Sequence, residues 1–182
     1  SKSQNPSGAT SYLQIDNDYV GFDSQFELSE IEIMRISVGH EFFHGIQWGY
    51  VKNKGNNAYF YEMTSMWFED VLIPDGNDYL DGWPDPLLVH PTADFDDTGG
   101  GYELALFGHY LSSFIDLDGN EDEKNSSIMR RIWERYRYCN PTLWNGGIAT
   151  PTDTPSDCED RSVLSAVNYV LDGEPPSSYT FI

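Results

Sequence analysis

His40 and His44 stand four residues apart, with Glu41 directly after the first. On a helix that spacing stacks two imidazoles one turn above each other on one face, so both can reach a single ion. A carboxylate beside such an ion can hold a water against it and take that water's proton. The residue types therefore point to hydrolysis assisted by a divalent metal. Zinc suits them, because its catalytic sites take three protein ligands and keep a fourth position for water. Two ligands are at hand; the third must come from elsewhere in the chain.

The histidines do this only if a helix carries them. Ser29-x-x-Glu32 is a capping-box pattern placed just before an apolar-periodic run, and it predicts a helix over 30–48. Ile33, Ile36 and Phe43 form its core stripe, and Gly49 with the polar residues 52–57 ends it. A second helix is expected over 58–72, stopped by Pro74. Its Glu62, Met66 and Glu69 share a face by their spacing. A glutamate among so many aromatics calls for a metal or a buried partner. A histidine six residues after His44 would be one route to a third ligand, but that position is Tyr50, and the glycine such a motif needs is replaced by Gln47. A glutamate on the following helix is the other route, open to Glu62 and to Glu69.

Further helices are expected over 102–115, with Leu104, Phe107, Leu111 and Phe114 as its stripe, over 127–138, rich in arginine, and over 160–171. Loose alternation over 12–20 reads as a small N-terminal strand. The fold class expected is thus α+β, mainly α-helical, in a single domain spanning 1–182. Residues 73–100 form a long Asp-, Pro- and Gly-containing loop, either a cleft wall or an ordinary connection. The oxygen-rich run from Asp116 to Glu123 resembles a calcium loop, so Ca2+ is a second candidate cofactor. Lys124 and Ser127 stand where an EF-hand needs oxygen ligands, which leaves a solvated acidic turn as the alternative. Cys139 and Cys158 bracket an irregular segment. A disulfide between them would close a loop of about 20 residues and contribute roughly 3 kcal/mol; two free thiols are the alternative.

His40-Glu41-x-x-His44 is the general zinc-peptidase signature. Followed by a glutamate on a later helix, it resembles the gluzincins, the thermolysin- and aminopeptidase-like zincins. His40 to Gln47 taken with Tyr61-Glu62-Met63-Thr64-Ser65-Met66-Trp67-Phe68-Glu69-Asp70 resembles more closely a group of secreted bacterial metallopeptidases. Their second motif runs roughly E-G-x-A-x-W-x-E-D, and here Met63 and Ser65 replace its small residues. The resemblance covers about residues 30–138. It implies a zincin-like catalytic domain with Glu62 as the third zinc ligand and Glu69 behind a histidine, fixing its tautomer. It also implies a tyrosine or histidine from a later segment as oxyanion donor. Tyr102 is the first choice, with His109 and His90 in reserve. A larger β-lobe usual in gluzincins is nearly absent here.

The function expected is zinc-dependent hydrolysis of peptide bonds in a protein or peptide substrate, with Glu41 as general base. The alternative is a non-catalytic, metal-stabilised binding or structural domain of a larger surface protein. Thirty acidic against ten basic residues give a net charge of −20, which disfavours nucleic acid and anionic membranes as partners. No apolar run is long enough to span a membrane. The acidic surface and the cysteine pair together suggest a secreted, extracellular protein. The chain opens without Met and ends abruptly at Phe181-Ile182, so a piece or processed form of a longer protein is expected.

Overall fold

The computed structural model describes residues 12–16, 19, 28–51, 55–77, 79–80, 90, 92, 94–95, 100–116, 122–140, 155–158 and 160–173. The first helix, α1, spans Glu30–Tyr50 and begins at the expected capping box. The Ser29 backbone N–H donates to Glu32 Oε2 (2.9 Å), and the Glu32 N–H donates to Ser29 Oγ (3.4 Å). These bonds satisfy two donors that a helix start would leave unpaired. α1 buries Ile33, Ile36, His40, Phe43 and Gln47, a stripe spaced by threes and fours. Two of the five are polar, so the stripe that anchors this helix also carries part of the site.

The second helix, α2, spans Ala58–Leu72 and is buried on nearly every side from Tyr59 to Trp67. A helix apolar all round belongs inside a fold, and α2 packs along α1 on one side and a third helix on the other. That third helix, α3, spans Ala105–Tyr110. A 3-10 turn, Tyr102–Leu104, leads into it and a π-helical turn, Leu111–Ile115, leads out. Two glycines permit this packing. Gly101 has φ 104°, and a Cβ there would sit 2.0 Å from the Tyr59 carbonyl oxygen. At Gly108 a Cβ would lie 2.8 Å from the Trp67 Cβ, so α3 can approach α2 this closely only without one. α4, Ile128–Cys139, packs against α5, Val163–Gly173. Trp133 of α4 sits at the junction, its ring 5.1 Å from Phe60, 4.8 Å from Tyr61 and 5.9 Å from Tyr136. Truncating a fully buried aromatic at such a junction costs about 3–5 kcal/mol. One apolar core runs from Phe43 of α1 to Leu171 of α5.

The expected α+β class is not what the chain adopts. Among the described residues there is no strand, and the fold is mainly helical. The alternation over 12–20 does not become a buried face: Tyr12 to Asp16 are all exposed and irregular. Tyr19 has φ 51°, a left-handed conformation that no extended run contains. An isolated strand without a partner has nothing to satisfy its backbone or cover a face.

The stripe expected on the third helix also fails at one position. Leu104, Phe107 and Leu111 are buried, but Phe114 is 73% exposed. The cause is the π turn. The Asp116 N–H donates to the Leu111 carbonyl five residues back (3.0 Å), which widens the turn and carries Ile115 instead of Phe114 onto the core.

Of the supposed calcium loop, 117–121 lie outside the described residues. Asp116 is engaged at the start of α4, accepting from the Ser127 N–H (2.9 Å) and Ser126 Oγ (3.0 Å) and pairing with Arg131 (3.4 Å). Asp122 accepts from the Lys124 N–H (3.0 Å). The long loop over 73–100 also lies largely outside the described residues. Cys139 and Cys158 form a disulfide. The same segment is tied to α4 by Arg135, which pairs with Asp157 (2.8 Å) and stacks on Tyr169 of α5 (3.5 Å to the ring centre). No helix among the described residues is long and apolar enough to cross a membrane.

Candidate metal centre

α1 presents His40 and His44 toward α2, which meets them with Glu62. One carboxylate oxygen, Glu62 Oε2, lies 3.2 Å from His40 Nε2 and 3.1 Å from His44 Nε2. The three donor atoms all fall within 4.8 Å of one another. Around a tetrahedral zinc with bonds of about 2.0–2.1 Å, neighbouring donors stand about 3.3 Å apart. The two separations are near that value, and two imidazole nitrogens with one carboxylate oxygen are a donor set zinc takes. The residues therefore fit the ion.

Each histidine is held from behind. His40 Nδ1 meets Glu69 Oε1 at 2.5 Å, from about two α2 turns beyond Glu62. Both residues are buried. Burial disfavours a charged imidazole here, but hydrogen bonds to Glu62 and Glu69 and their negative charge outweigh it, holding the His40 pKa up at about 9. Without a metal, then, a proton on His40 supplies the positive charge that the two carboxylates require. His44 Nδ1 meets Gln47 Oε1 at 2.7 Å and Ser65 Oγ at 3.1 Å.

The centre opens on a cleft of about 690 Å³. Glu41, His44, Glu62 and Tyr102 line it, together with apolar side chains that include Phe42 and Trp48. Glu41 is exposed there, pointing away from the core while its neighbour His40 is buried. The Tyr102 ring lies parallel to that of His40, centres 5.8 Å apart, and its hydroxyl hydrogen-bonds to Glu62. Burial, with the nearby Glu62 carboxylate, pushes the Tyr102 phenol up to about 12. It thus stays protonated across the physiological range.

His40, Glu41, His44, Glu62, Glu69 and Tyr102 are brought together at one place. The two reserve histidines are not part of it. His109 faces Glu123 (2.8 Å) and Asp70 (3.5 Å), away from the cleft lining. His90 is exposed and does not line the cleft. Gln47 joins the centre behind His44, and the sequence signal that marks it is a polar residue in the apolar stripe of α1, three after His44. No protein-family model matches the chain, and no curated protein or solved structure does either.

Proposed function

We propose that the chain is a gluzincin-type zinc metallopeptidase that hydrolyses peptide bonds. The observation that carries this is the convergence of His40, His44 and Glu62 beside a cleft that also holds Glu41 and Tyr102. A zinc ion held by those three donors would supply a Lewis acid and bring the pKa of a bound water toward about 7. Glu41, exposed in the cleft, takes the proton of the attacking water and passes it to the leaving amine. Tyr102, protonated at neutral pH, turns its hydroxyl from Glu62 to the oxygen on which negative charge develops. Glu69 holds the His40 ring so that Nε2 faces Glu62.

Protein or peptide chains are the substrates, and the charge of −20 favours basic or neutral segments over acidic ones. The disulfide suits an oxidising compartment and supports a secreted, extracellular protein. The test is zinc content together with cleavage of a denatured protein such as casein. Glu41→Gln is expected to keep stoichiometric zinc and lose cleavage by at least about 100-fold. Cleavage at the parent rate in that variant sinks the mechanism. A non-catalytic, metal-stabilised domain would instead lose thermal stability on chelation and cut nothing.

A further inference from the structure

We infer that Gln47 is a positioning residue of the metal centre, which sets the tautomer and tilt of His44 and does so without adding charge. The inference rests on the metal-centre reading of His40, His44 and Glu62. Gln47 is a polar side chain with no exposed surface, and a buried amide is retained only where its hydrogen bonds are made. Its amide nitrogen lies 2.8 Å from the Tyr61 carbonyl oxygen and 2.9 Å from Thr64 Oγ1. A backbone carbonyl can only accept. The Thr64 hydroxyl donates to the Phe60 carbonyl (2.8 Å), so toward Gln47 it also accepts. Tyr61 and Thr64 on α2 therefore demand the donating end of the amide, with Ser65 Oγ a third partner 3.1 Å from the same nitrogen, and the orientation of Gln47 is settled by them.

The oxygen end is left facing His44 Nδ1 at 2.7 Å. An amide oxygen cannot donate, so Nδ1 carries the proton, and Nε2 presents its lone pair toward Glu62 Oε2 at 3.1 Å. The chain of direction runs from the α2 backbone through Gln47 to the ligand nitrogen. The two histidines come out unequal. His40 is backed by the carboxylate of Glu69, which raises the basicity of its ring. His44 is backed by a neutral amide, which orients it and leaves the total charge of the site unchanged.

The experiment is competition for zinc against a chromophoric chelator, with the melting temperature of the metal-free protein measured alongside. Gln47→Met removes both ends of the amide, and Gln47→Glu keeps the acceptor facing His44 while losing the donors to α2. Both variants are expected to lower the metal-free melting temperature. Gln47→Met is expected to weaken zinc binding about 10- to 100-fold, and Gln47→Glu to restore it to within a few-fold of the parent. Parent affinity in Gln47→Met overturns the inference. So does a loss in Gln47→Glu as large as in Gln47→Met, because the residue would then matter only to folding. In the zinc-loaded parent, which needs no substitution, long-range 1H–15N spectra should find the His44 proton on Nδ1; metal on Nδ1 overturns the inference too. A parent that binds no zinc at all overturns the metal centre itself, and the inference with it.

Discussion

Within two adjacent residues α2 serves two histidine clusters, through Glu69 on one side and Asp70 on the other. His40 lies between Glu62 and Glu69, at 3.2 Å and 2.5 Å. His109 lies between Asp70 and Glu123, at 3.5 Å and 2.8 Å. The residue types match, and the outcomes differ. At the first cluster a second imidazole, His44, converges with His40 on one oxygen of Glu62, and the group borders an open cleft. At the second, a single ring spends its nitrogens on carboxylates at opposite edges, so nothing converges. Ser112 and Ser113 donate to Glu123 Oε1 at 2.8 Å and 2.5 Å, and Tyr79 stacks on the His109 ring. A histidine between two carboxylates is thus a tether between helices unless a further donor faces the same point. The i,i+4 spacing on α1 provides that donor for His40.

The largest expected contrast comes from deleting one histidine at each cluster. His44→Ala should abolish stoichiometric zinc binding and cleavage together. His109→Ala should leave zinc content at the parent level while costing about 1–2 kcal/mol in urea unfolding, because the half-buried Glu123 loses a hydrogen-bond partner. Zinc lost from His109→Ala would erase the distinction between the clusters. Next in size is Tyr102→Phe, expected to lower kcat about 100- to 1,000-fold with zinc affinity unchanged; an unchanged kcat would remove Tyr102 from the chemistry.

A smaller effect is on pH dependence. In the metal-free protein the His40 pKa is raised to about 9 from an unfolded value near 6.5. Its contribution to stability is then complete below about pH 6.5 and lost as pH rises through about 9. The metal-free melting temperature should fall across that window, whereas the zinc-loaded protein, in which the metal takes the place of the Nε2 proton of His40, should not follow it. At the second cluster the sign is opposite. Burial pushes the Glu123 carboxyl up, but hydrogen bonds from His109, Ser113 and Ser112 outweigh this and hold it below the usual range. Its contribution is present above the unfolded value of about 4.3 and lost as pH falls through the lower folded one. Melting curves from acid to alkaline pH, with and without zinc, separate the two. The smallest effect on either cluster should come from reducing Cys139–Cys158. That costs roughly 3 kcal/mol of global stability yet leaves zinc affinity within a few-fold when measured well below the melting temperature.

The parts of this arrangement legible in the amino-acid order are those encoded locally. The His40/His44 spacing, the Ser29–Glu32 cap and the Pro74 stop each act within about one or two helical turns, and α1 and α2 lie where such signals put them. Glu62 and Glu69 could be nominated because one helix face repeats. What escaped depends on how distant elements rotate against one another. The π turn that exposes Phe114 is a backbone detail with no marker residue. The pairing of Asp70, His109 and Glu123 joins three separate segments, so the amino-acid order carries no sign that His109 is engaged away from the cleft. The N-terminal alternation was real as a pattern, but a strand needs a partner, and no described segment provides one.

The most direct measurement is a crystal structure of the zinc-soaked protein with anomalous data on both sides of the zinc absorption edge. One zinc peak is expected within about 2.2 Å of His40 Nε2, His44 Nε2 and a Glu62 carboxylate oxygen, with Glu69 and Gln47 behind the two rings. A peak seated between Asp70, His109 and Glu123, or a Glu62 side chain turned away from both histidines, would contradict it.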